Sequence, residues 1–313
     1  MDCIRSVDWP GNAATHAKLK QAGASDVGDR SCILLTASVL PTMIPFLHLG
    51  PLTIPTFGLM VATGLLVGAY VLQADFDRRR EGFLKHGYLK ESKEPSHHDE
   101  GFLIIGIAGI SGLLGARLYH VLESPREFFA DPWPQLFSRY GFAWFGGFIG
   151  GFVALVFLAK HYRIPSLEFL DACSPAAAVG YAIGRIGCLL SGDGDYGIST
   201  TLPWGMSFPN GVAPTTERVH PTPIYEFLIW TAIAVILWRI GKRALSGEAP
   251  GKVFCAYLIL TGVTRFLIEF IRRNPRSFFG ISNAQTASLV SILLGIVLLL
   301  RVKSSSPKAA KAA

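Results

Sequence analysis

The sequence predicts an all-α, polytopic integral membrane protein with about seven transmembrane helices, and three observations carry that expectation. Half of the 313 residues are hydrophobic and only 16% are charged, against roughly 25% charged residues in soluble domains. Mean hydropathy is +0.39. The charged residues also fall in blocks, with no Asp, Glu, Lys or Arg from Ser31 to Ala74, from Tyr140 to Ala159 or from Ser277 to Leu300. About twenty apolar residues, at 1.5 Å of rise each, cross a hydrocarbon core of roughly 30 Å.

Seven segments of that kind follow in order. Leu52 to Gln73 and Asn283 to Leu300 lie within charge-free runs, and Phe142 to Ala159 is rich in glycine and aromatic residues. Phe102 to Leu122 and Val253 to Ile271 are apolar around the isolated cations Arg117 and Arg265. The two weakest are Phe169 to Leu190, which Pro175 interrupts, and Pro223 to Trp238, which has Glu226 near its start. The membrane domain is therefore expected over 43–302, preceded by a polar, aperiodic and disordered extension over 1–42 and followed by a short basic cytoplasmic tail over 303–313. Residues before Met43 are expected to be dispensable, given the polar, aperiodic character of Met1 to Arg30.

The formal charge of +7 does not point to nucleic acid, because the basic residues sit between apolar runs and form no continuous stripe. Sixteen Lys and Arg fall on the side of the Ala74–Gly101 loop and the C-terminus, and ten on the other. The excess predicts a cytoplasmic C-terminus, an outer N-terminus and an outer Ser191–Pro221 loop. Cys3, Cys32, Cys173, Cys188 and Cys255 are scattered and form no C-x-x-C pair, so neither a disulfide framework nor a metal site is expected.

Three basic residues remain inside spans: Arg117, Arg185 and Arg265. An arginine in a bilayer costs at least a few kcal/mol, so such residues face a protein interior, a water-filled cavity or an anionic ligand. Two readings stay open: cations gathered around a lipid phosphate, or intramembrane pairing with Glu226, Glu269 or backbone carbonyls. Arg265, Glu269 and Arg272 stand at i, i+4 and i+7, one face of a helix, so that Glu269 could hold either guanidinium in place. The string Gly184-Arg185-Ile186-Gly187-Cys188-Leu189-Leu190-Ser191-Gly192-Asp193-Gly194-Asp195-Tyr196-Gly197 lets backbone approach a ligand, or serves as a turn in which Asp193 and Asp195 are ordinary turn residues. His220-Pro221-Thr222-Pro223-Ile224-Tyr225-Glu226 brings an imidazole, a phenol and a carboxylate to the mouth of the fifth span.

Together these strings resemble the prolipoprotein diacylglyceryl transferase family, over roughly Ile44 to Arg301. The G-R-x-G signature is represented by Gly184-Arg185-Ile186-Gly187, followed by Ser191-Gly192-Asp193. Further matches are Gly58-Leu59-Met60, Gly115-Ala116-Arg117-Leu118, Gly146-Gly147-Phe148-Ile149-Gly150, His220 to Glu226, and Arg265-Phe266-x-x-Glu269-x-x-Arg272. The resemblance implies seven helices, phosphatidylglycerol as donor, and attack by the lipobox cysteine of a prolipoprotein signal peptide to give a thioether and glycerol phosphate. It implies headgroup contact by Arg185 and an essential role for Arg265, with Glu269 supporting it. Arg117, Gly146, Gly147, Ser191, Gly192, His220, Tyr225, Glu226 and Arg272 are then the expected substrate-binding residues. No cofactor is expected, and the implied partners are the donor lipid, the signal peptide and surrounding membrane lipid.

The departures bear on the base. Ala143-Trp144-Phe145-Gly146-Gly147 puts Phe145 where the family usually has a histidine, Cys188 replaces an asparagine, Asp193 replaces a glutamate and Phe57 a tyrosine. The candidate bases are His120, at i+3 from Arg117, then Asp193, then His220. The competing readings are an anion or lipid transporter and a non-catalytic lipid-binding paralogue.

Overall fold

The architecture is that of a computed structural model, which describes residues 43–85, 100–123, 125–133, 143–243, 250–275 and 280–305. The extension over 1–42, the greater part of the basic tail and the middle of the Ala74–Gly101 segment lie outside these residues. A hairpin of β1 (Phe46–Leu49) and β2 (Leu52–Pro55) leads into α1 (Thr56–Lys85). There follow α2 (Glu100–Glu123), the short α3 (Pro125–Ala130), α4 (Trp144–His161) and α5 (Ser166–Ser191). A second hairpin, β3 (Met206–Phe208) and β4 (Thr215–Val219), precedes α6 (Thr222–Arg243), α7 (Lys252–Ile268) with a 3-10 turn at Glu269–Ile271, and α8 (Asn283–Ser305). Six of the described helices are long and apolar enough to cross a membrane. The seventh expected span is α4, whose 18 residues rise about 27 Å.

Two boundaries of the first span differ from the sequence reading. Leu52 to Pro55 is strand, with Phe46 opposite Pro55 and Leu49 opposite Leu52, turned by Gly50 at φ +61°. Proline disfavours helix in the residue before it, so Pro51 and Pro55 delay the helix to Thr56. At the other end α1 continues into the segment read as a loop, to Lys85. Its first charges are paired there: Asp75 pairs with Arg78 and, at 2.6 Å, with Arg79. Arg78 also donates to the Trp238 carbonyl at 2.9 Å and lies over the Trp238 ring. Pro175 does not break α5, which runs through it unbroken.

Neighbouring helices pack in a chain: α4 on α2, α2 on α1, α1 on α5, α5 on α6, α6 on α7 and α7 on α8. One apolar core gathers Leu72, Phe76, Ile104, Leu158 and Phe169, and a second Ala178, Trp230, Ile233, Leu237 and Val253. Where α2 meets α4 the backbones touch, and a Cβ on Gly146 would collide with the Gly115 carbonyl and Tyr119. Asp171 accepts from the Gly251 and Phe254 amides at 2.7 Å each, satisfying donors at the start of α7.

A second, larger group of buried charges lies at the other end of the bundle from the Asp75 and Asp171 contacts. The C-terminus of α5, the N-terminus of α6 and the C-terminus of α7 meet under a cap built from residues 192–221. Gly197 donates to the His220 carbonyl at 2.8 Å and Ile198 to the Ile271 carbonyl at 2.8 Å. A bridge between Gly197 and Arg272 ties the cap to the end of α7.

Candidate active site

The signature helix ends where the site begins. Gly192 closes α5 in the left-handed conformation, and a Cβ there would lie 2.7 Å from Gly211 Cα, so only glycine fits both the turn and the contact. Ser191 Oγ donates to the Cys188 carbonyl at 3.2 Å. The Ser191 and Gly192 carbonyls accept from Val212 and Ala213. Both residues thus build the turn that folds the cap back over the helix end.

Three guanidinium groups from three segments converge beneath that cap. Arg185 of α5 pairs with Asp195, donates to Tyr181 Oη one turn earlier, and places Nε 3.2 Å from Glu226 Oε2. Arg265 of α7 sits 3.4 Å from Glu226 Oε1 and 3.3 Å from Glu269 Oε2. Arg272, just past the 3-10 turn, pairs with Asp195 and stands 3.6 Å from Glu226 Oε2. Glu226 is the hub: fully buried, it also accepts from Tyr181 Oη at 3.1 Å. Glu269 accepts from Asn274 and Ser282 at 2.7 Å each, while Tyr181 stacks on Trp230 with ring centroids 3.8 Å apart.

Two sequence expectations are settled by this geometry. Carboxylate pairing is present for Arg185 and Arg265, and the three cations are matched by Glu226, Glu269 and Asp195, with Asp193 beside them as a fourth carboxyl. Glu269 holds Arg265 but not Arg272. The helix gives way at Glu269, and Arg272 is extended at φ −85°, ψ 158°, so it leaves the shared helix face and turns to Asp195 and Glu226.

Asp193 and Asp195 part company. Asp193 takes the turn role, accepting from the Asp195 amide at 3.2 Å. Its carboxyl is pushed up by desolvation, reinforced by the neighbouring Asp195 charge. Desolvation would raise Asp195 too, but Arg272 and Arg185 outweigh it and hold that carboxyl below the usual carboxylate range. Cys188 Sγ lies in the same group, within 4.8 Å of both carboxylates. Phe57 is close as well, since a Cβ on Gly187 would lie 3.3 Å from its ring.

The remaining expected site residues are distributed differently. His220 Nδ1 is 3.3 Å from Tyr225 Oη, which accepts from Trp204 Nε1 at 2.7 Å, so the three form an aromatic group where the cap meets α6. Gly146 and Gly147 lie in the α2–α4 contact, where close backbone approach accounts for them. Arg117 is buried on α2 and His120 half-buried one turn on. Among the described residues no hydrogen bond or ion pair joins His120 to the arginine cluster. Tyr181, Asn274 and Ser282 were not anticipated. Tyr181 had a signal in its i−4 spacing from Arg185, whereas the other two reach Glu269 only through the fold.

A bundle of helices long and apolar enough to cross a membrane, with an arginine–carboxylate centre at one end, defines a polytopic integral membrane protein. The chain belongs to the prolipoprotein diacylglyceryl transferase family, which it matches over residues 45–301. It is 33% identical to the phosphatidylglycerol–prolipoprotein diacylglyceryl transferase of Clostridium tetani over 77% of this chain and 90% of the relative. The enzyme of the same name from Cupriavidus necator is 32% identical over 84% and 93%. That of Tropheryma whipplei is 29% identical over 86% and 96%.

Proposed function

We propose that this protein transfers a diacylglyceryl group from phosphatidylglycerol to the lipobox cysteine of a prolipoprotein signal peptide. The observation that carries the reading is the convergence of Arg185, Arg265 and Arg272 at the capped end of a membrane-spanning bundle. The cysteine thiolate attacks the glyceryl carbon, the C–S bond forms, and the bond from that carbon to the phosphate ester oxygen breaks. Glycerol phosphate leaves with the electron pair. The phosphate passes from a monoanion to a dianion, and preorganised guanidinium groups stabilise charge that develops in this way. Arg265 is the most accessible of the three, its side chain 25% exposed against 12% for Arg185 and 4% for Arg272. It is therefore assigned first contact with the phosphate, which Arg185 and Arg272 share from below.

Phe145 has no group to take the thiol proton. Asp193 is the favoured base because it lies beside the cluster and has a raised carboxyl, which makes it a better acceptor than an ordinary carboxylate. The cysteine reference pKa of about 8.5 asks little of it. The cap faces the outside of a bacterial inner membrane and the C-terminus the cytoplasm, in line with the basic-residue asymmetry. A Glu217→Cys reporter on the cap should then label from outside sealed cells and a Ser96→Cys reporter should not.

The test is transfer in vesicles. Purified protein, phosphatidylglycerol and a lipobox peptide should yield a peptide heavier by one diacylglyceryl group, in equal amount to the glycerol phosphate released. Lipid binding with no thioether would mark a non-catalytic paralogue, and phosphate flux without either product would mark a transporter.

A further inference from the structure

The three carboxylates that neutralise the arginines are not equivalent. Glu226 is rooted in α6 and fully buried, and Glu269 is locked by Asn274 and Ser282 as well as by Arg265. Asp195 stands on a loop between Gly194, at φ +92°, and Gly197, with its side chain 35% exposed. Its carboxylate bridges Arg185 and Arg272 and, among the described residues, accepts from no neutral side chain. It also spans the two guanidinium groups much as a phosphate would. Arg272 meets Asp195 through Nη2, while its Nη1, 3.6 Å from Glu226 Oε2, makes no hydrogen bond.

A charge argument then separates the three. The three cations are already matched by three carboxylates, with Asp193 beside them, so an entering phosphate adds uncompensated negative charge in a poorly solvated place, where like charges a few ångströms apart repel by several kcal/mol at an effective dielectric near 20. Moving one carboxylate out restores the balance. Neither glutamate can leave without dismantling a helix end, but Asp195, whose carbonyl is held by the Thr222 hydroxyl, needs only a side-chain rotation to carry its carboxylate toward water. We infer that Asp195 is the exchangeable anion of the cluster: substrate phosphate displaces it from Arg185 and Arg272, and its charge sets how tightly the site holds phosphate.

This rests on the phosphate-handling reading above, and the experiment separates the two. The full chain in lipid nanodiscs is titrated with glycerol phosphate and with a short-chain phosphatidylglycerol. Asp195→Asn should bind glycerol phosphate about tenfold tighter or more than the wild type, because a competing negative charge is gone, while Asp195→Glu stays within about threefold. Equal or weaker binding by a folded Asp195→Asn overturns the inference and leaves the phosphate reading standing. A wild type that binds neither probe overturns both. Should Asp195→Asn fail to fold, hydrogen exchange on the wild type decides: saturation with glycerol phosphate should speed exchange of the 193–196 amides, and unchanged or slower exchange overturns the inference.

Discussion

Substituting Glu226 by Gln isolates the energetics of the cluster. The side chain keeps its shape and an oxygen that can accept from Tyr181, but loses the charge that faces Arg185, Arg265 and Arg272 at 3.2, 3.4 and 3.6 Å. One such contact at 3.2 Å corresponds to about 5 kcal/mol of Coulomb attraction at an effective dielectric of 20. Desolvation of both partners offsets much of it. Removing one partner of a buried pair costs about 3–5 kcal/mol, because the other charge is left uncompensated, and the retained acceptor puts this variant near 3 kcal/mol. At about 2–4 °C per kcal/mol for a domain of this size, the melting midpoint should fall by about 6–12 °C. Cys173, Cys188 and Cys255 are buried free thiols, so with Cys3 and Cys32 replaced by serine in every variant a thiol-reactive fluorophore reports unfolding directly. Glu217→Gln is the control, since Glu217 and Arg273 are exposed partners at 2.7 Å and such pairs contribute little. A Glu226→Gln midpoint equal to or above the wild type would refute the argument that this carboxylate holds the cations in place.

Two further outcomes follow from the packing and the cap. Gly146→Val should wedge α2 from α4 and lower the same midpoint by the equivalent of about 1–3 kcal/mol, whereas Gly106→Ala, with open space around its Cβ, should leave it unchanged; equal midpoints would remove the packing explanation for Gly146. The Asp195 carboxyl is held below its ordinary range, so its contribution to stability is present above pH ~4 and is lost as pH falls through the lower native value. Thermal melts from pH 6 down to pH 3 should therefore show a steeper acid loss for the wild type than for Asp195→Asn, and parallel curves would contradict that sign.

The spans were legible because each is an apolar run of membrane length, and the physics that reads them is local. The reading failed where charges are neutralised by contacts: Asp75, Arg78 and Arg79 look like loop residues until their pairing and the Trp238 carbonyl are known. Arg185 and Arg265 were legible as isolated cations in apolar helices. Asp195 was not, because its partner Arg272 lies 77 residues away and its glycine-rich setting reads equally well as a turn. Arg272 misled for a related reason, since its i+7 spacing presumes a helix that stops at Glu269. Gly146 and Gly147 carried a motif but not its cause, which is the approach of a helix from elsewhere in the chain.

The central claim is that the arginine cluster drives transfer by stabilising charge on the departing phosphate, and the rate of a single turnover tests it most directly. Wild type, Arg185→Lys and Arg185→Ala are compared with phosphatidylglycerol and a lipobox peptide at matched insertion and matched melting behaviour. A point charge cannot reproduce a planar fork that reaches Asp195, Tyr181 and Glu226 together. Both variants should therefore lose about 10²-fold or more of the chemical rate, with lysine recovering little. Transfer by either variant at close to the wild-type rate would contradict the account.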